Sequence, residues 1–471
     1  MVSGVFSNVN DLSNIESPQN SSNDQNNATA SDEARFLASD IGFLTGYGYS
    51  HEQLRRLMAQ AMQTGVEAHQ EMIASGLIAS EHYYRCLADY LKLDFVKAKQ
   101  LQNIELTKSK GIIHALRYSS QILHRDETGA LILVKAPKSE EIQRLRFQLG
   151  QLHGLNNRVA IAEPSEIRKA YLGQLNKTLS HHASQTLHRQ MPGFSAYRIA
   201  SGGIAALIVL IVLLLVTLAA APISTLSLII NALVAFIFFL SVSLRFCAAF
   251  TLRDNKKQLV STPEIEASSL PVYSVLVTAY DEAGIIPDLV DALSHLDWPA
   301  AKLDIKIIVE ANDQPTISAV KSAIFGRSSF EIIGVPPGRP RTKPRALNYA
   351  LPLARGEFLV IYDTEDRPHP GQLKAAFHKL SISTKEVACI QAPLLIDNAK
   401  HTWLSGMFAL EYAGLFDGVI PAFARWRFPV LLGGTSNHFR TKVLRSIGLG
   451  IPIMSRKTLT WVSGSNVLAI V

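Results

Sequence analysis

The run "VIYDTEDRPHP" (360–370) ends an apolar stretch in Asp363, Glu365 and Asp366. Three carboxylates at one strand end repel one another, so either the turn is fully solvated or positive charge is brought to it. Carboxylates with no His or Cys beside them suit magnesium or manganese. A divalent ion held there would hold an anion in turn, most simply a diphosphate. "RPRTKPRALNYAL" (339–351) offers the rest of an anion site. Arg339, Arg341, Lys343 and Arg345 fall just before or within the first turn of a helix, where cations join free backbone amides.

These residues need elements to position them. After Pro271 the chain alternates "VYSVLVTAY", "DIKIIVEA", "FEIIGV" and "EFLVIYD", read as strands, with amphipathic helical stretches such as "IIPDLVDALSHL" and "GQLKAAFHKL". This pattern predicts a doubly wound, mainly parallel α/β sheet. Ligands in such sheets sit beyond the carboxyl ends of the strands. That rule gathers Tyr280, Asp281 and Glu282, then Asn312 and Asp313, then the acids of 363–366, around one crevice. No G-x-G-x-x-G run is present, which disfavours a dinucleotide fold.

Tyr280 and Glu282 of "TAYDEA", Asp313 of "EANDQPT", "KPRALNYAL", "YDTEDRP" and "LLGGTSNHFR" together resemble family 2 glycosyltransferases. The resemblance is to their membrane-embedded, cellulose-synthase-like branch and covers about residues 266–448. It implies a GT-A fold, a nucleoside-diphosphate sugar donor, a saccharide or lipid-linked acceptor and an inverting displacement, with a role in cell-surface polysaccharide synthesis. It puts Asp363 and Glu365 at the acidic positions of a metal-binding D-x-D, with Asp366 sharing the task and Mg or Mn as the ion. Tyr280, Glu282 and Asp313 would line the nucleoside pocket. Lys343, Arg345 and Asn348 would contact donor phosphate or position the loop. Ser436 and Asn437 would lie near the transferred sugar, and "WLSGMFALEYAGLFDGV" would border the acceptor at the membrane face. A non-catalytic membrane adaptor that keeps the fold is the alternative.

The resemblance also calls for a T-E-D carboxylate, the general base, soon after "LRSIG", and later for a QxxRW motif. Residues 449–471 contain neither. A choice of synonymous codons for this tail, read in another frame, gives W-D-P-Y-N-V-T-E-D-A-D-L-G. A frameshift near Gly448 is therefore expected, leaving 449–471 an out-of-frame tail, the catalytic base unassigned and transfer impaired.

The remaining chain frames this domain. Of 471 residues, 48% are hydrophobic and 18% charged, and the excess is concentrated between Ile199 and Phe250. Residues 199–221 and 223–244 carry no charge and are long enough to span a bilayer. Basic residues flank both outer ends (Arg189, Arg198, Arg245, Arg253, Lys256, Lys257), predicting a transmembrane hairpin in a bacterial inner membrane with both large domains cytoplasmic. Residues 34–179 mix helical and strand patterns, and "GLIASEHYYRCLADYLKLDFV" resembles the N-terminal domain of type II secretion ATPases. That implies a small α+β docking module with a protein or cyclic dinucleotide partner, although no P-loop occurs. Ser50 and Ser80 stand at expected helix N-caps, with Gly65 and Gly76 at the stops. His181, His182 and His188 read as a solvated pre-membrane linker. Residues 1–33 are Ser/Asn/Asp-rich and read as a disordered tail. The net charge of +7 is too diffuse for nucleic acid. Three distant cysteines (Cys86, Cys247, Cys389) form neither a disulfide framework nor a metal spacing.

Overall fold

The computed structural model describes residues 36–446, apart from 191–201, 220–222, 253–263 and a few loop positions (38, 102, 107–108, 152–153, 386, 427, 429 and 431). The tails 1–33 and 449–471, and the basic flanks Arg198, Arg253, Lys256 and Lys257, lie outside the described residues.

Two sheets organise the chain. The first has strands β1 (Asp94–Phe95), β2 (Ile104–Glu105), β3 (Gln121–Arg125), β4 (Leu131–Lys135) and β5 (Val159–Ile161), in the order β1-β5-β4-β3-β2. The second has β6 (Tyr273–Ala279), β7 (Leu303–Glu310), β8 (Phe330–Val335), β9 (Phe358–Tyr362), β10 (Cys389–Gln391) and β11 (Asn437–Arg440). Its order is β10-β11-β9-β6-β7-β8. The four strands with continuous apolar runs pair in parallel, as burial on both faces requires. The sheet is mixed, because β11 runs antiparallel to both β9 and β10. "CIQ" and "NHFR" are too short to carry a strand period of their own, so this edge depends on tertiary pairing.

Alternation along the strands assigns the two faces. Tyr273, Val275, Val277, Ile305, Ile307, Val309, Val360 and Tyr362 pack beneath Leu289, Val320 and Leu373. These three come from helices Ile286–Ser294, Gln314–Ala323 and Gln372–Ile382. On the opposite face Leu276, Ile308, Ile333, Leu359 and Ile361 join one continuous core with Leu54, Ile167 and Leu175 from the N-terminal region. Helix Lys343–Ala350 lies on this face over β6, β7 and β8, and the N-terminal region packs against that helix.

The element that joins the two is helix Pro164–Gln190. It runs through the stretch read as a pre-membrane linker, and His181 and His182 are exposed along it. Ser50 caps helix His51–Thr64 with a full capping box to Gln53, and Gly65 ends it at φ 68°. At the next predicted cap Ala79, not Ser80, is the N-cap, and Ser80 is the first helical residue.

Helices Gly202–Ala219 and Ile223–Leu252 occupy the two apolar stretches. Ser227–Phe250 is long and apolar enough to cross a membrane. So is Trp403–Arg425, where helices Trp403–Ala413 and Ile420–Arg425 are joined through a π-helical turn, Gly414–Val419. This second stretch packs beside helix Ile223–Leu252.

Candidate active site

The carboxyl ends of β6, β7 and β9 open into a crevice of about 420 Å³, within the range of small-ligand pockets. Its walls include Tyr280, Glu282, Glu310, Lys343, Asp363 and Glu365. The strand ends bring these side chains together because β6 lies between β7 and β9 in register.

The acidic turn answers its own repulsion in two ways. The Lys343 ammonium contacts Asp363 Oδ1 and donates to the Gly434 carbonyl at 2.9 Å. Asp366 turns back into the protein. Its Oδ2 accepts the Asp363 amide at 2.6 Å and the Thr435 hydroxyl. Burial, with the Asp363 carboxylate close by, raises the Asp366 carboxyl above its ordinary value. Asp366 therefore closes the turn and is not on the crevice wall, in contrast to the shared metal role expected for it. Glu365 is exposed at the rim. Among the described residues, three metal-capable side chains gather within 4.8 Å at Asp40, Glu67 and His69, in the N-terminal region, and not at 363–366. Asp363 and Glu365 remain as two hard oxygen donors facing the crevice, a chemistry that fits magnesium or manganese.

In the same crevice the Arg341 guanidinium lies 5.2 Å from the Tyr280 ring centre and donates to its hydroxyl at 2.9 Å. Tyr280 stays 51% exposed, a flat surface on which a base can stack. Glu282 accepts the Thr364 hydroxyl at 2.7 Å, tying the β6 end to the β9 end. Asp313 does not line the crevice. It caps helix Gln314–Ala323 through the Thr316 amide and accepts the Asp281 amide at 2.7 Å, where Asp281 takes φ 57°. Partial burial opposes its ionisation, but these amides outweigh that and lower its pKa.

The structure does not bring Arg345 and Asn348 to the crevice wall. Both are buried in helix Lys343–Ala350, facing helix Pro164–Gln190. Arg345 reaches the crevice through Glu310, whose Oε1 accepts its Nη1 at 3.3 Å. Among the described residues, Glu310 Oε2 is buried without a partner. Glu310 is the functional candidate that sequence reasoning passed over. The signal was available, since it is the last residue of an apolar parallel strand. Ser436 and Asn437 are buried at the start of β11. Ser436, at φ 55°, donates its amide to the Ile361 carbonyl at 2.8 Å, and the Asn437 amide group donates to the Gly433 carbonyl at 2.6 Å. They shape the turn carrying Gly434 and Thr435 and present no side chain to the crevice wall.

Residues 271–462 match the family model described as glycosyltransferase like family 2, a match that runs past Gly448. A beta-monoglucosyldiacylglycerol synthase of Trichormus variabilis is 27% identical over 143 residues, 30% of each chain. A probable glycosyltransferase of Sulfolobus acidocaldarius is 24% identical over 154 residues, 32% of this chain and 33% of that one. The matched part thus spans about a third of these curated relatives. Among solved structures, a mannosyltransferase from Pyrobaculum calidifontis in complex with GDP-mannose and Mn2+ is 22% identical. It aligns over 50% of this chain and 60% of its own, with a TM-score of 0.36. Residues 271–462 are thus similar to family 2 glycosyltransferases.

Proposed function

We propose that this chain is a membrane-bound glycosyltransferase that moves a sugar from a nucleoside-diphosphate donor held in the crevice to a saccharide or lipid-linked acceptor. The observation that carries the reading is the set of side chains lining one crevice. It holds Lys343 with Asp363 and Glu365, and also the exposed Tyr280 ring and buried Glu310. A nucleotide sugar needs both, a charged end for the diphosphate and a flat, polar-edged end for the base.

The role of each residue follows from its surroundings. Tyr280 stacks the base, and the partnerless Glu310 oxygen accepts one of its N–H groups. Lys343 exchanges its contact with Asp363 for donor phosphate. Asp363 and Glu365 would hold Mg or Mn, which when bound supplies positive charge against that developing on the leaving diphosphate. Asp366 and Thr435 keep the Asp363 backbone in place while the pair forms. The acceptor hydroxyl needs a carboxylate base in reach, and none of the described residues is assigned to it. The apolar stretch Trp403–Arg425, with Trp403 81% exposed, lies beside helix Ile223–Leu252 and would set the acceptor side against the bilayer. A non-catalytic adaptor would need none of these groups.

Calorimetry on the full chain in detergent tests the reading, with UDP or GDP titrated in the presence of manganese. One nucleotide is expected to bind, and Asp363→Ala to weaken that binding by about a hundredfold or more while thermal unfolding stays within a few degrees. Equal affinity in the Asp363→Ala protein would remove the metal-holding role. Binding of neither nucleotide by the unaltered chain would favour the adaptor.

A further inference from the structure

We propose that helix Pro164–Gln190, which belongs to the N-terminal region, is a positioning element of the donor crevice and acts on Glu310 through Arg345. The inference rests on the donor reading above for its ligand, and on geometry alone for the coupling.

Arg345 is 2% exposed, so its guanidinium has no solvent alternative to its protein partners. Its Nη1 serves Glu310, and its Nη2 donates to Ser180 Oγ at 3.0 Å and to the Pro336 carbonyl. The guanidinium is planar and rigid, so what grips Nη2 decides where Nη1 points. Ser180 does not act alone. Asn176 Oδ1 meets the Tyr349 hydroxyl, and the Ala183 carbonyl accepts the Asn348 side-chain amide at 3.3 Å. Residues 176, 180 and 183 are spaced by four and three, which makes them one stripe along the helix. The stripe lies along helix Lys343–Ala350, whose first residue, Lys343, is on the crevice wall. From the other side Gly338 closes the cage, since a Cβ there would stand 2.5 Å from Arg345 Nη2.

The helix is also held at its beginning. Arg168 pairs with Glu331 at the start of β8 and donates to Ser119 Oγ at 3.2 Å. A shift of this helix relative to the sheet takes the Ser180 contact from Nη2 and leaves it the Pro336 carbonyl alone. With that one grip the guanidinium no longer fixes which Glu310 oxygen faces the ligand. The N-terminal region is therefore part of the binding machinery and not an appendage to it.

The test uses the full chain and nucleotide calorimetry with manganese, with UDP and GDP as probes. Ser180→Ala is expected to weaken nucleotide binding about tenfold, the scale of one hydrogen bond to a charged group. Ser180→Thr, which keeps the hydroxyl, is expected to restore it. In a double-mutant cycle, Ser180→Ala should add nothing to Glu310→Gln, because both act through one carboxylate. A merely stabilising serine would lower the melting temperature and leave the cycle additive. Unchanged affinity in Ser180→Ala, or additive losses, overturns the proposal. If the unaltered chain binds neither nucleotide, the donor reading fails and hydrogen exchange decides the coupling. Faster exchange across residues 307–313 in Ser180→Ala supports it, and unchanged exchange rejects it.

Discussion

Asp366 and His438 show how a side chain can serve the crevice without facing it. Asp366 spends its carboxylate on the Asp363 amide and on Thr435, so the loop around the crevice keeps one shape. His438, next to Asn437 in β11, is fully buried, with Nδ1 2.8 Å from the Tyr273 hydroxyl and Nε2 without a partner among the described residues. Burial pushes its pKa down to about 3. The unfolded chain then takes up a proton near pH 6.5 that the folded chain refuses until about pH 3, so stability falls as the pH drops through that window. We expect a contribution of about 1.4 kcal/mol per pH unit from this one residue. Urea unfolding between pH 7 and pH 4 checks it, and His438→Asn should flatten the slope. An equal slope in the variant would assign the acid sensitivity elsewhere.

At the scale of elements, β7 carries the unusual feature. Its residues Asp304, Lys306 and Glu310, on the face shared with Ile308, are all buried, although charge at alternate positions would ordinarily mark a solvated side. Each meets a partner from another element. Lys306 donates to Asp304 at 3.1 Å and to Glu331 at 2.7 Å, Arg355 donates to Asp304 at 2.9 Å, and Arg168 closes the group at Glu331. Burial alone would raise the Glu331 carboxyl, but Lys306 and Arg168 hold it down at about 2. Its share of stability is therefore present above about pH 4.5 and lost as the pH falls toward 2. Lys306→Met leaves Asp304 with Arg355 and Glu331 with Arg168 but removes the buried cation that bridges the two carboxylates. It is expected to cost about 3–5 kcal/mol and to move acid unfolding to higher pH. Chemical denaturation at pH 7 and a pH titration of the circular dichroism signal measure both. A cost under about 1 kcal/mol would mean that water reaches the group.

For the whole molecule, the shared core makes the N-terminal region and the second sheet one cooperative body. Without the N-terminal region, helix Lys343–Ala350 and the turn Leu351–Leu353 after it would lose the cover of helices Pro164–Gln190 and Ser109–Tyr118 and leave apolar surface in water. The two apolar stretches Ser227–Phe250 and Trp403–Arg425 are mostly uncovered by the rest of the chain, which suits a lipid environment. The full chain is expected to stay in the membrane fraction through carbonate washing and to leave it in detergent as a monodisperse species. A chain beginning at residue 191 should leave it aggregated. Size-exclusion chromatography distinguishes these, and a monodisperse shortened chain would show that the sheet folds without its cover.

Much of this was written in local sequence. The parallel strands, the helices between them, the capping box at Ser50 and the acids ending β9 depend on residues within about ten positions of one another, where period and propensity decide. So the α/β class and the strand-end crevice could be read directly, and Glu310 could have been. What local pattern could not decide was which way helix Lys343–Ala350 would turn its polar side chains. Lys343, Arg345 and Asn348 all read as contacts to donor phosphate or as residues that position the loop, and Arg345 and Asn348 find partners 165 residues earlier, at Ser180 and Ala183. The same holds for Asp304 and Lys306, whose burial depends on Arg168 and Arg355 arriving from elsewhere in the chain. A charge enters a core only where distant partners meet it, and that meeting is settled by the packing of the N-terminal region against the second domain, which no window of sequence contains.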